Sequence, residues 1–301
     1  LSTAVVLAAT LSTTSFTLAD VIVSKVFGDH MVLQQKAPIR VWGTADPGEI
    51  VTVSFGGKSA KTTAAKAGTW RVNLPALSAD GKAHTMTVKG QNTIELKDIL
   101  LGEVWICSGQ SNMEWRVSNS DGAKEEIANA KDPLLRVFVS ANAATATPQT
   151  DWSGSWERTQ PDKTGSFTAV GYYFGKRIRE EVGVPVGVIE CSWGGKPVEA
   201  FTSESALKAL PEAKGLLERK AKAVAAWDPK AANATFEKQK KAYRQKLEAW
   251  QKDKKGRQPR GPRKPEDPAV NHSMSSTIFN GLIAPIALSY THLTLPTLYS
   301  V

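Results

Sequence analysis

The 301 residues carry 38 Lys and Arg against 29 Asp and Glu, a formal charge of +9, with 41% hydrophobic and 22% charged residues. That balance suits one or two globular domains and excludes a chain too polar or too charged to bury a core. Leu1 to Ala19 are small and apolar and end in Thr17-Leu-Ala19 before Asp20, as the apolar part and cleavage site of a secretory signal do. The run is too short and too rich in Ser and Thr for a membrane span. No basic stretch precedes it and the first residue is Leu1, so a signal clipped at its start is expected, and with it a secreted or periplasmic protein.

From residue 20 to residue 97 the pattern is all-β. Ile39-Arg-Val-Trp42, Ile50 to Phe55, Trp70 to Leu74 and His84 to Val88 alternate apolar and polar. Asp46-Pro-Gly48, Gly56-Gly57 and Asp80-Gly81 punctuate them as turns, so a small β-sandwich domain is expected. Asp29 and His30 read as turn residues set against the next domain, not as a site.

The stretch Glu103-Val-Trp-Ile-Cys-Ser-Gly-Gln-Ser-Asn-Met-Glu-Trp115 opens a second domain. An apolar strand stops at Ser108-Gly109 and turns directly into a helix. Such a turn exposes one side chain at the carboxyl edge of a sheet, where open α/β folds place their chemistry. Ser111 then stands beside free helix N–H groups able to hold an oxyanion, although Ser and Asn also serve as ordinary caps.

Several blocks of residues raise the specificity of this reading. Phe27 to Gln35, Val41-Trp-Gly43, Gly109-Gln-Ser-Asn-Met113, Gly171-Tyr-Tyr-Phe-Gly175 and Ser192-Trp-Gly-Gly-Lys-Pro-Val-Glu-Ala-Phe201 occur in order. Together they resemble SGNH hydrolases, in particular the sialate O-acetylesterase-like carbohydrate esterases, from about Val21 to about Ile286. The resemblance implies a three-layer, flavodoxin-like α/β domain with a parallel sheet over residues 98–288. It implies Ser111 as nucleophile, a His base and an orienting Asp, and removal of acetyl groups from sialic acid or acetylated polysaccharide. It implies an oxyanion donor at Gly194 or Gly195, with Asn112 beside the nucleophile, and neither cofactor nor metal. The partner is the acetylated carbohydrate, with no nucleic acid and no membrane. A non-catalytic carbohydrate-binding protein on the same fold is the alternative.

Beyond the nucleophile come a helix over Ala123 to Ala130, a strand at Leu135 to Val139, a helix at about Phe167 to Val182 and an apolar strand at Val186 to Cys191. This β-α-β-α-β order argues for a parallel sheet covered by helices. In the resembled fold the last of these strands lies between the nucleophile strand and one this chain lacks, so it is expected to be an unpaired apolar edge. Cys107 and Cys191 fall on neighbouring strands and are expected to be buried free thiols.

Residues 205–270 hold 18 Lys and Arg against 8 Asp and Glu, while the rest of the chain has 20 against 21. Ala234 to Lys255 has helical composition and Gly256 to Pro268 is basic and Pro-rich, so a solvated helical insertion with a flexible return is expected. A helix over Ile278 to Ile286 should stop near Pro285. The family's Gln-Gly-Glu and Asp-x-x-His blocks are absent. Ser289 to Val301 resemble a translated sequencing adapter and are expected to be foreign to the protein. His30, His84, His272 and His292 are the four histidines. None stands in Asp-x-x-His, so the base is assigned to none, and this C-terminally truncated chain is expected to be inactive.

Overall fold

The computed structural model describes residues 20–287. The expected signal, Leu1 to Ala19, and the expected foreign tail, Ser289 to Val301, lie outside the described residues. The first half of the chain supplies β1 (Ile22–Val23), β2 (Val32–Gln34), β3 (Ile39–Thr44), β4 (Ile50–Phe55), β5 (Lys58–Thr63), β6 (Thr69–Leu74), β7 (His84–Lys89) and β8 (Thr93–Gly109). The second half adds β9 (Leu135–Ser140), β10 (Gly154–Arg158) and β11 (Val186–Ser192). The strands β1, β3 and β6 form a small antiparallel sheet. A mixed sheet runs β10-β9-β11-β8-β7-β4-β5, with β2 also on β8.

The common member is β8. Its first half pairs antiparallel with β7 and its second half parallel with β11. Between them the register shifts and Asp98 takes a left-handed φ of +56°, the signature of a bulge. The expected boundary between residues 97 and 98 therefore falls inside one strand. Alternating burial along β4 and β6 sends Val51, Val53 and Phe55, and Trp70, Val72 and Leu74, into a core that continues through Leu100 and Ile189 to Leu282.

Sequence patterning did not announce β5, whose Lys58-Ser-Ala-Lys-Thr-Thr63 has no apolar face to bury. It forms because Gly56 and Gly57, with φ of +55° and +72°, make a two-residue hairpin turn that aligns Phe55 with Lys58.

The expected unpaired edge at Val186 to Cys191 is not found. All seven residues of β11 are buried, and the strand pairs with β8 from Val186 opposite Glu103 to Ser192 opposite Gly109. On its other side β9 pairs with it from Val186 opposite Leu135 to Ile189 opposite Phe138. The sheet instead ends at β10, which is antiparallel to β9 and is tied down by the Trp156 indole N–H donating to Val26 O at 2.9 Å. The physical reason is that β9 follows a crossover to the far side of β11 and occupies the flank expected to be vacant.

The helices are α1 (Ser111–Glu114), α2 (Ala123–Asn129), α3 (Pro161–Thr164), α4 (Ala169–Val182), α5 (Glu204–Lys208), α6 (Lys214–Ala225), α7 (Pro229–Asp253) and α8 (Ala284–Ala287). The Thr168 hydroxyl caps α4 by accepting from Gly171 N–H at 3.2 Å, and Gly183 closes it at φ +67°. Its glycines let it settle on the sheet: a Cβ at Gly175 would lie 2.8 Å from Val188 Cγ2 and 2.9 Å from Leu135 Cδ1.

Neither α6 nor α7 has a buried residue, in line with a solvated insertion. The return is not free, however. Trp250 donates its indole N–H to Gly256 O at 3.1 Å, and Gly261 lies against the Tyr243 ring, so the segment folds back on the helix. Residues 279–283 form a π-type turn that leads into α8, which passes through Pro285 to Ala287. Pro285 thus follows directly on the wide π turn, where Ala284 N–H reaches back five residues to Phe279 O, and the chain stays helical through it.

Candidate active site

The parallel pairing of β8 and β11 ends with Ser192 opposite Gly109, so the two following loops leave the same edge of the sheet together. Trp193 N–H extends the ladder to Gly109 O at 3.1 Å. Past Gly109 the chain turns through Gln110 into α1, and Ser111, its first residue, is exposed. A Cβ added to Gly194 would meet Ser111 Cα and Cβ at 3.5 and 3.6 Å, ordinary contact, but would collide with the Glu114 carboxylate, so it is Glu114 that requires a glycine beside the serine. The structure thus brings together Ser111, Gly194, the exposed Asn112 beside the serine, and Gly195 in a left-handed turn at φ +69°.

The amides of this edge are unequally occupied. Gly194 N–H donates to Glu114 Oε2 at 2.8 Å, joining α1 to the loop after β11. Gly195 N–H and the Asn112 side chain have no hydrogen-bond partner among the described residues.

Beneath the loop lies a charged support that the sequence reading missed. Glu190 is buried on β11, and Arg116 Nη1 donates to both of its carboxylate oxygens at 2.8 Å. Ser192 Oγ donates to Glu190 Oε1 at 2.7 Å, and Arg116 also reaches Ser166 O at 3.0 Å. A buried carboxylate is costly to the fold unless it is paired and hydrogen-bonded in this way. The signal for it was a lone Glu inside an apolar strand.

Cys107 and Cys191 are free and buried. Burial, followed by the nearby Glu190 charge, pushes the Cys107 thiol up to about 12, and burial likewise pushes Cys191 well up. Neither is a thiolate near neutral pH, and only the thiolate of a cysteine is nucleophilic.

None of the described histidines is hydrogen-bonded to Ser111. His30 Nδ1 lies 2.6 Å from Asp98 Oδ2 in the turn against β8, and Asp98 is also bound by Arg136 and Arg158. His84 pairs with Asp80 at 3.1 Å. His272 packs its ring on Trp193, centroids 5.1 Å apart, and so borders the site without bonding to the serine. His292 lies outside the described residues. Among the described residues no cluster of three or more His, Cys, Asp or Glu is arranged to hold a metal, and no helix is long and apolar enough to cross a membrane.

Residues 101–257 match the family described as carbohydrate esterase, sialic acid-specific acetylesterase. The sialate O-acetylesterases of Rattus norvegicus and Homo sapiens are 32% and 31% identical over 201 residues. Those alignments take in 60% of this chain and 37% and 38% of the relatives, so the chain spans well under half of their length. The crystal structure of a carbohydrate acetylesterase from Xanthomonas citri superposes with a TM-score of 0.67 at 27% identity, covering 90% of this chain and 49% of that one.

Proposed function

Because this chain belongs to the sialic acid-specific acetylesterase family of carbohydrate esterases, we propose that it carries the nucleophile half of an exported serine esterase that removes O-acetyl groups from carbohydrates. The observation that carries the proposal is Ser111, exposed at the carboxyl edge of two parallel strands and beside the loop that holds Gly194 and Gly195. Within this reading the sheet and its helices form the three-layer SGNH domain, and the strands before it form a small sandwich.

Ser111 Oγ attacks the acetyl carbonyl while a base takes its proton. The carbonyl oxygen becomes an oxyanion, held by backbone N–H groups of the Ser111 and Gly195 turns and by the Asn112 side chain. The intermediate collapses as the sugar oxygen leaves with a proton. Water then attacks the acetyl-serine, releasing acetate and restoring the hydroxyl.

The base is assigned to none of the described histidines, so these 301 residues by themselves are expected to turn over no acetyl ester. The test compares the protein encoded by the full reading frame with its Ser111→Ala variant on p-nitrophenyl acetate and on O-acetylated sialic acid. Loss of at least about a thousandfold in kcat/KM with unchanged folding is expected, given what triad removal costs serine hydrolases. Turnover near the parent value would place the nucleophile elsewhere. A second reading is a non-catalytic carbohydrate binder on the same fold. That reading prevails if the full-length protein binds acetylated glycan but hydrolyses none.

A further inference from the structure

The arm made by α6, α7 and the return carries the whole positive excess of the chain, and two separate periodicities order it. Along the return, Arg257-Gln-Pro259, Arg260-Gly-Pro262 and Arg263-Lys-Pro265 repeat Arg-x-Pro three times. Each proline of the repeat is half-buried and each arginine exposed. A period of three is that of an extended polyproline-type chain advancing about 3.1 Å per residue, which spaces the guanidinium groups about 9 Å apart on one side. Along α7, Lys230, Lys241 and Lys252 are exposed at eleven-residue intervals. Eleven residues make just over three turns, so these ammonium groups share a face at intervals of about 16 Å.

None of these six cations is ion-paired with a described carboxylate. The ion pairs within the arm are Lys240 with Glu237 at 3.5 Å, Lys214 with Glu218 at 3.8 Å, and His272 with Glu266 at 3.7 Å. The apolar side of the arm is already used, since the return covers Tyr243 and Trp250. What the arm presents outward is regularly spaced positive charge. Its root also borders the site: Lys220 Nζ donates to Ser275 O at 2.7 Å, Ser276 N–H donates to Glu199 O at 2.8 Å, and His272 packs on Trp193, the residue before Gly194.

We propose that the arm is a docking surface for an acidic polysaccharide, a glycan bearing carboxylates at regular intervals, and that such chains, where O-acetylated, are the substrates presented to Ser111. The second clause rests on the esterase reading; the docking itself does not. Guanidinium forks match carboxylates in geometry, and a row of them engages a repeating polyanion several times at once. Nucleic acid offers charge of the same sign, but the arm is rooted beside the site of a carbohydrate esterase family member, which favours the glycan.

The test reads binding without turnover. The protein is run by affinity electrophoresis in gels containing polygalacturonate, fully methyl-esterified polygalacturonate, or random double-stranded DNA. Expected are retardation by polygalacturonate alone that weakens with added salt, and affinity lower by at least about tenfold in the triple variant Arg257→Gln, Arg260→Gln, Arg263→Gln. The triple variant Lys230→Gln, Lys241→Gln, Lys252→Gln is expected to lose affinity in the same direction, with circular dichroism showing both variants folded. Absence of polygalacturonate retardation, equal retardation by the esterified polymer, tighter binding to DNA, or unchanged binding in both variants would overturn the proposal. Polygalacturonate binding that persists in a full-length protein shown not to hydrolyse acetyl esters would leave the docking surface standing and remove only the esterase reading.

Discussion

Gly194 gives its amide hydrogen to the carboxylate of Glu114, eighty residues earlier in the chain. The bond spans the gap between the two loops that leave the sheet edge, and it holds the turn containing Gly195 over Ser111.

Replacing this carboxylate should loosen the turn. Glu114→Ala removes one hydrogen bond to a charged acceptor, and a loss of about 1–3 kcal/mol in urea unfolding is expected. Glu114→Gln keeps an acceptor and should recover more than half of that loss. Equal stability of all three proteins would mean that the bond does not tie the loops.

The buried pair below the loop should be less forgiving. Arg116→Ala leaves Glu190 buried with only Ser192 Oγ as a side-chain donor, and a loss of about 3–5 kcal/mol is expected. Adding Glu190→Gln to Arg116→Ala should restore part of it, because the orphaned charge is then gone. Chemical denaturation of the single and double variants measures both effects.

Acid should act through Asp98. Burial pushes this carboxyl up, but hydrogen bonds from His30, Arg158 and Arg136 outweigh burial and hold it below the usual carboxylate range. A folded-state pKa lower than the unfolded one means that the stabilisation is present above about pH 4 and fades as pH falls through the folded value. Asp98→Asn should therefore destabilise the protein at pH 7 and flatten the acid limb of its pH–stability curve. Parallel acid limbs for parent and variant would show that Asp98 contributes nothing to it.

Two glycines in helices should respond oppositely to the same change. Gly175→Ala forces a Cβ onto Val188 and Leu135, and a loss of about 1–3 kcal/mol is expected. Gly215→Ala, in α6 with nothing within 4 Å of the new methyl group, should gain up to about 1 kcal/mol. Thermal unfolding of the pair separates close helix–sheet approach from helix propensity.

The thiols should be silent in the folded protein. Buried Cys107 and Cys191 are expected to react with a thiol-directed chromophore only on unfolding, both at the same rate. Reaction of one equivalent in native buffer would contradict their burial.

The strands with one buried face were legible because Ile50 to Phe55 and Trp70 to Leu74 alternate as half-buried strands must. The exposed place of Ser111 at the strand end was legible because a strand, a glycine and a helix start are adjacent in sequence. What stayed hidden was non-local or without an apolar face. Polar β5 is held by a turn rather than by burial. The flank of β11 taken by β9 depends on which side the crossover returns, and an apolar run does not record that. Glu114 and Gly194, or Arg116 and Glu190, meet across eighty and seventy-four residues, and no local pattern encodes such meetings.

The seventeen residues of β8 carry a mechanical consequence. There is no tether between the amino-terminal strands and the Ser111 edge; a single hydrogen-bonded ribbon is shared by both. A load on β7 or β4 passes through the ladder to β8 and then along its backbone to Gly109, so these amino-terminal strands act as a fixed abutment for the site and not as an appended module that could swing. Proteolytic separation of the halves would have to cut through a ladder, and neither product would keep its own copy of the strand on which both were built.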